Sequence, residues 1–596
     1  MLAVVTAVGL LVVAAGFDAG RRDVAWSEPA FWTGIIMVFL PAAARMTAAT
    51  ASRRERIGLI VLVGVGLYLV KVMQYPLGPS YHDELGQIRS TEDIERTGSL
   101  FAENPIVRAY PFYPGMQIVT ESLSRLTGIG LFSAGLLVIG VARLIFSICL
   151  FHVLAAIGRS NRVGGLAAIL YVGSPSFVIF DGLFAYESLA LPLATLVLAC
   201  LIAWRSEPVD DRGTRLAASV LVLALVATHH TTAYALAAFL LAWAVIHHAG
   251  RRFSVPKPSW GVTALLIVSA GAWLAFVSEG ATSNLLGIVG DAFRSLADLV
   301  PGGSGSEKQL FTSGTGRADP LVEKLLGFGS VALLILMLPL GLLLSLRSRR
   351  KARALVLLLS LVALSYPATL VLRLTSSGTE TSSRLSAYVF LGAGFVVAVP
   401  FANRWLRREG AARYLAAGAF SIYAGLNFVG GLIVGTSPTS RIPGPYLVSA
   451  DPRSVGPDGI EAARWTRRAL GGENRVATDL TNSLLAASYG AQEPVRGQID
   501  GVPVPTLFFA NRFRARERMI IRGEKLAYVI ADRRLSTSLP VSGRYFEGIE
   551  PKRRPGAGPI SAAAFRKFDH VPGVGRIYDS GDIRIYDVRP IAAADQ

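Results

Sequence analysis

The sequence predicts a polytopic α-helical membrane protein of about 13 transmembrane helices with a C-terminal exterior domain of mixed α/β structure. Three observations carry this. Apolar runs, each near the ~20 residues that cross a bilayer, recur from Met1 to about Gly435. Charged residues make up 17% of the 596-residue chain and hydrophobic ones 52%, whereas soluble domains carry about 25% charge. Beyond Thr436 no apolar run is long enough to span, and charges and prolines become frequent.

The spans fall at 1–17, 31–50, 57–75, 129–157, 163–180, 183–204, 215–228, 231–248, 260–278, 321–346, 354–372, 385–403 and 414–435. His229 and His230 interrupt the 215–248 stretch, which fits two short spans or one long broken helix. The first run has no basic region before it, so it reads as a retained span rather than a cleaved signal peptide.

A net charge of +18 raises the question of nucleic acid, but the basic residues sit in short loops between spans, so no nucleic-acid partner is expected. One alternating set of loops holds Arg53, Arg54, Arg56, Arg159, Arg162, Arg205, Arg212, Arg215, Arg251, Arg252, Lys257, the five basic residues from Arg347 to Arg353, and Arg404, Arg407, Arg408 and Arg413. The opposite, longer loops hold about half as many basic residues as that set. The basic set marks the cytoplasm, which puts the N-terminus inside and the C-terminal segment outside. The chain then divides into an N-terminal helix pair (1–56), a transmembrane domain (57–435) with exterior loops 76–128 and 279–320, and an exterior domain (436–596).

In the exterior domain, Gly459 to Leu470 reads as an amphipathic helix, with Ile460, Ala463 and Leu470 on one side. Arg475 to Thr478 and Ala527 to Ala531 read as buried strands. Gly575 to Val588 alternates around Asp579-Ser580-Gly581-Asp582, a hairpin signal.

The exterior loops carry the candidate chemistry. The first opens with Tyr81-His82-Asp83-Glu84, an acidic pair just past a span that suits a base or a cation ligand. The run to Leu100 reads as a helix lying along the interface, and Pro111-Phe112-Tyr113-Pro114-Gly115 fixes a turn before re-entry. Asp181 sits in a short outer turn and Glu187 at the start of the next span. There an ionisable group costs about 2.5–3.5 kcal/mol to insert, so it faces protein or water. One cavity holding Asp83, Glu84, Asp181 and Glu187 is the expectation, against an ordinary turn and a snorkelling glutamate.

His229 and His230 fall at the outer side, and adjacent helical side chains point about 100° apart, so both rarely serve one metal. Arg384, at the outer end of a span and close to Glu380, suits a fork to a phosphate at headgroup depth. The 279–320 loop contains an amphipathic stretch from Asn284 to Val300 and the Gly302–Ser306 run, which suits a lid or a linker. No P-loop, dinucleotide fingerprint, G-x-S-x-G or HExxH motif is present, which weighs against an ATP-driven pump or a nucleotide-sugar enzyme.

With these residues in place, the chain resembles the GT-C superfamily of integral membrane glycosyltransferases, in its bacterial members. Asp83-Glu84, the helix that follows and Tyr110-Pro111-Phe112-Tyr113-Pro114 match the family's first exterior loop, and Gly173-Ser174-Pro175 to Glu187 its next hairpin. Ala462-Ala463-Arg464-Trp465, Val476-Ala477-Thr478-Asp479 and Arg576-Ile577-Tyr578-Asp579 resemble pieces of bacterial C-terminal domains. No complete Trp-Trp-Asp motif of the oligosaccharyltransferases is present, which argues against asparagine glycosylation.

The resemblance implies transfer of a sugar from a polyprenyl-phosphate-linked donor to an envelope glycan, lipid or protein acceptor at the outer face of a bacterial plasma membrane. Asp83 would be the base and Glu84 its orienting partner. Arg384, His229 and His230 would bind the donor phosphate, and Asp181, Glu187 and Glu380 would serve acceptor or metal. Family members differ in needing a divalent cation such as Mg or Mn, so none is assigned. The competing classes are a transporter or flippase, a surface-polysaccharide polymerase or ligase, and a non-catalytic envelope protein.

Overall fold

The structure, a computed structural model, describes residues 1–203, 212–250, 257–278, 320–347, 353–373, 378–497, 500–548, 550 and 558–593. The amphipathic stretch from Asn284 to Val300 and the Gly302–Ser306 run lie outside the described residues.

The bundle and first loop are built from α1 (Leu2–Arg21), α2 (Ser27–Met46), α3 (Arg53–Gln74), α4 (His82–Thr97), α5 (Gly115–Thr127), α6 (Leu131–Gly158), α7 (Asn161–Tyr171) and α8 (Tyr186–Leu198). The bundle continues with α9 (Arg212–Thr228), α10 (His230–Ala249), α11 (Trp260–Phe276), α12 (Leu321–Arg347), α13 (Arg353–Leu364), α14 (Tyr366–Leu372), α15 (Gly378–Asn403) and α16 (Gly410–Gly435). Among the described residues, ten helical segments are long and apolar enough to cross a membrane.

The three remaining expected spans are shorter helices, and the chain says why. The 11-residue α7 halts at Tyr171 because Gly173 and Pro175 follow, and a proline disfavours helix at the residue before it. The 17-residue α9 ends at Thr228 because His229 is extended, with φ −159° and ψ 119°. The histidine stretch is therefore two helices. The third, α11, has 17 residues.

The break after α7 is packed into the bundle. Gly431 and Gly435, about one turn apart on α16, let the 173–175 turn lie against that helix; a Cβ at either would overlap the backbone of Gly173 or Pro175. The N-terminal pair joins the same body, with Phe39 of α2 stacked on Phe428 of α16 at 4.2 Å between ring centres.

The C-terminal sheet has the order β2-β1-β3-β5-β4, from β1 (Arg475–Ala477), β2 (Glu493–Pro494), β3 (Tyr528–Asp532), β4 (Gly575–Asp579) and β5 (Ile583–Asp587). The expected helix is α17 (Pro457–Leu470), and α18 (Leu480–Ser488) follows β1. The first three strands are parallel and the hairpin adds two antiparallel ones. Ile583 and Ile585 are buried as their alternation requires, but Ile577 is exposed, because the ladder slips beside it between Arg576 and Tyr578.

Asp479, two residues past the end of β1, and Asp532, the last residue of the parallel β3, are both buried and bridged by Asn482 Nδ2 at 2.7 and 3.2 Å. Burial first, and the Asp532 charge next, push the Asp479 carboxyl up to about 6. The folded domain therefore binds more protons than the unfolded chain between about pH 4 and 6, so this group costs stability as pH rises through that window. Asp479→Asn keeps the cap on Thr481 and Asn482. It is expected to equal wild type near pH 4 and to be more stable above pH 6 by about 2–3 kcal/mol, read by thermal unfolding across pH.

The helix expected along the membrane interface, α4, is instead clamped between the bundle and the C-terminal domain. Its buried Arg89 donates to Asp93 at 2.8 Å, to the Ala487 and Gln492 carbonyls at 2.9 and 3.1 Å, and to Glu493 at 2.9 Å. Arg467 of α17 reaches Glu92 at 2.9 Å, and the Tyr489 hydroxyl donates to the Pro79 carbonyl at 3.2 Å. The polar residues that read as a solvated face thus find partners some 400 positions away in the chain.

Candidate active site

Helix α4 starts where the Pro76-Leu77-Gly78-Pro79 turn releases the chain, and its first turn sends neighbouring carboxylates to different places. Glu84, at the third helical position, is fully buried. One of its oxygens accepts from the backbone N–H groups of Ser80 and Tyr81 at 3.2 and 3.4 Å, half of a capping box. The other accepts from the Phe184 N–H at 3.0 Å and pairs with Lys71, itself buried in α3. The structure thus places Glu84 in a contact joining α3, α4 and the segment before α8, turned away from Asp83.

Asp83 stands in a cluster of polar side chains at one end of the bundle. Its carboxylate accepts from the Tyr110 hydroxyl at 2.6 Å and from Arg384 Nη2 at 3.3 Å, and the His82 ring lies 3.6 Å away. Burial raises the Asp83 pKa, but His82, Arg384 and Tyr110 outweigh it, and the group is held below the ordinary carboxylate range. Arg384, at the start of α15, rests over the Phe180 ring at 5.0 Å.

The histidines complete this cluster from the α9–α10 break. His229 is buried, stacks on Tyr186 at 4.4 Å and shares a hydrogen bond with Thr232 Oγ1 at 2.8 Å; that hydroxyl meets Tyr388 Oη at 2.8 Å. His230 lies against Tyr113, 4.8 Å between ring centres, and 5.2 Å from His229. Arg384 acts electrostatically on both histidines, and Asp83 on His229. The structure therefore brings together Asp83, Arg384, His229 and His230, contributed by three separate parts of the chain.

The other acidic residues stand apart. Asp181 is buried, accepts from Ser176 Oγ at 3.2 Å and interacts with Arg143 across a cavity of about 10 Å³, room for about one water. Glu187 is buried at the start of α8 and interacts with Tyr186 and Tyr388. Glu380 lies in the first turn of α15, and its side chain lies outside the described residues. Among the described residues no three His, Cys, Asp or Glu side chains converge closely enough to hold a metal ion. The single cavity expected for Asp83, Glu84, Asp181 and Glu187 is thus not formed, because Glu84 is taken by Lys71 and Asp181 by Ser176 and Arg143.

Sequence reasoning missed the tyrosines. Tyr110, Tyr113, Tyr186 and Tyr388 wall the cluster with buried or half-buried rings. The signal for the first two was the tyrosines bracketing Pro111 and Phe112; Tyr186 and Tyr388 gave none, since they sit in otherwise apolar stretches. Asp451 was also missed: its carboxylate accepts from the His82 N–H at 3.2 Å, so the C-terminal domain caps the helix that carries Asp83.

Below the cluster, an apolar cavity of about 290 Å³ runs between α6, α8, α10, α13 and α15, lined by Phe146, Leu150, Phe239, Leu358 and Leu391. Thr232 and Tyr388 line its polar end and also belong to the His229 hydrogen-bond chain. Those two side chains therefore form the wall between the cavity and the cluster.

Compared with solved structures, the chain is similar to the apo oligosaccharyltransferase of Archaeoglobus fulgidus, with TM-score 0.53 and 12% identity over 82% of this chain and 70% of that one. It is similar also to ArnT from Cupriavidus metallidurans bound to undecaprenyl phosphate, with TM-score 0.51 and 11% identity over 89% of this chain and 97% of that one. The chain has the GT-C fold. By sequence, no family model and no curated protein matches it. Within the GT-C fold, the Asp83 loop, the α9–α10 break and the C-terminal domain meet at one end of the bundle.

Proposed function

We propose that the protein is a membrane glycosyltransferase that moves a sugar from a polyprenyl-phosphate-linked donor to an acceptor hydroxyl at the outer face of the membrane. The observation that carries this is the adjacency of the apolar cavity to the Arg384–His229–His230 cluster beside Asp83, the two sharing a wall made by the hydrogen-bonded Thr232 and Tyr388. An amphiphile with a long unsaturated tail and a phosphate head matches that sequence of surfaces, and ArnT from Cupriavidus metallidurans holds such a molecule.

The energetics assign roles. Lipid tails are as apolar as leucine, so moving a prenyl chain from bilayer to groove gains little. Affinity and placement fall to the phosphate, through charge-assisted hydrogen bonds worth about 1.5–3 kcal/mol each. Arg384 supplies a planar fork at the outer end of α15, and the histidines stand beside it.

Asp83 takes the proton of the acceptor hydroxyl as that oxygen attacks the anomeric carbon. The C–O bond to phosphate breaks on the opposite face, and polyprenyl phosphate leaves with the bonding pair. Before donor binds, His82 and then Arg384, with Tyr110, hold Asp83 in its ionised form and make it a weak base. A lipid phosphate competes for the same guanidinium; its arrival loosens the 3.3 Å contact and makes Asp83 more basic where it is needed.

Arg384→Gln is expected to weaken undecaprenyl-phosphate binding about 10- to 100-fold, with Arg384→Lys in between, measured by displacement of a photoreactive polyprenyl-phosphate probe in nanodiscs. Unchanged binding in Arg384→Gln removes the phosphate role.

A further inference from the structure

A second cleft, of about 840 Å³, opens between the Pro76–Pro79 turn, α4, the 128–133 segment and α17. It is distinct from the Asp83 cluster: none of Asp83, Arg384, His229 and His230 lines it.

The cleft has two unlike sides. Its lower side is apolar, formed by Leu77, Ile129, Leu131 and Phe132 where α3 ends and α6 begins. Leu77 is 96% exposed and Leu126, just outside, is 86% exposed. Leu77 follows the membrane-crossing α3 and Leu126 precedes the membrane-crossing α6, and side chains this bare there are at home against acyl chains. The upper side is Arg464, Arg467 and Arg468, which the i, i+3, i+4 spacing sets on one face of α17, and Arg125 faces them.

These arginines are not used up. Glu461 holds Arg464 and Arg468 at 3.1 and 3.5 Å, and Glu92 holds Arg467 at 2.9 Å. Side-chain exposures of 51%, 68% and 47% leave most of their N–H groups facing the cleft or solvent. Arg125 pairs with Glu121 and donates to the Glu95 carbonyl at 3.1 Å, so the three α17 arginines, which share Glu461 and Glu92, carry the spare positive charge of the cleft. Arg464 lies over the Tyr489 ring, 5.4 Å from its centre, which holds that guanidinium at the cleft wall.

We propose that this cleft binds the phosphate-bearing headgroup of an anionic phospholipid of the bilayer, with the arginines on the phosphate and the acyl chains over Leu77, Leu131 and Phe132. The site lies where α4 meets the C-terminal domain, so a bound lipid bridges the two.

The test is native mass spectrometry of the full chain released from nanodiscs of equal phosphatidylglycerol and phosphatidylcholine, with undecaprenyl phosphate added in a parallel sample. Wild type is expected to retain phosphatidylglycerol over phosphatidylcholine, and Arg464→Gln/Arg468→Gln to lose at least fivefold of it. Arg464→Lys/Arg468→Lys is expected to keep most of the retention. Gly130→Trp tests the same site without touching charge. Gly130 lines the cleft, has φ −60°, and a Cβ there meets nothing within 4 Å, so the backbone accepts a side chain that projects from the cleft wall. It is expected to lower retention as the Gln pair does, while undecaprenyl-phosphate binding stays at wild-type level in every variant. No preference for phosphatidylglycerol in wild type, equal retention in the Gln pair and Gly130→Trp, or loss of undecaprenyl phosphate instead of phosphatidylglycerol overturns the proposal.

Discussion

Asp83→Asn is expected to lower sugar transfer by about 10²- to 10⁴-fold while leaving membrane insertion and undecaprenyl-phosphate binding near wild type. The amide is close to isosteric and still accepts from the Tyr110 hydroxyl, so the pocket keeps its shape. What it loses is the ability to take a proton. Arg384 loses its anionic neighbour in the variant and is freer to hold phosphate, so donor affinity stays level or rises. The measurement is transfer of label from a panel of radiolabelled polyprenyl-phosphate sugars into membrane acceptors, beside probe binding. A variant that binds donor and does not transfer assigns Asp83 to the chemical step; one that transfers normally removes the base.

The second large effect falls on folding. Lys71 and Glu84 are 2% and 0% exposed and form an ion pair between α3 and α4. Removing one partner leaves an uncompensated buried charge, at a cost of about 3–5 kcal/mol. Lys71→Met is therefore expected to reduce folded yield in detergent sharply, and Lys71→Met/Glu84→Gln to recover much of it, since a neutral pair asks for no counter-charge. Glutamine keeps an oxygen for the Phe184 N–H. The double variant also separates the two acidic neighbours. If Glu84 only positions α4, the rescued protein transfers sugar; if it orients the acceptor, the rescued protein folds and stays inactive.

The helical body was legible because a bilayer imposes one length and one polarity on each crossing, so hydropathy alone locates α1 to α3, α6 and α16. It was less legible where the chain breaks inside the body. The 163–180 run reads as one span, yet the break at Gly173 and Pro175 is accommodated by glycines of α16, a long-range fit that no local window reports.

In the candidate site, Asp83, Arg384 and the histidine pair stood out because charge or imidazole at the end of an apolar run needs a reason. The separation of Asp83 from Glu84 was not legible. Adjacent residues look like one motif in sequence, but on a helix they point about 100° apart, and the partner that claims Glu84 is a lysine 13 positions earlier. Asp451, Asp479 and Asp532 were hidden for a related reason: each is a single carboxylate whose neighbour comes from a distant segment.

The most direct test of the account is a structure in lipid nanodiscs with undecaprenyl phosphate bound. The prenyl chain is expected in the groove lined by Phe146, Phe239 and Leu391, and the phosphate within hydrogen-bond reach of Arg384 and one of the histidines. Asp83 then lies beside it, released from Arg384. Phosphate bound elsewhere, or an open aqueous path running through the bundle past Asp83, would contradict the transferase reading and point to transport.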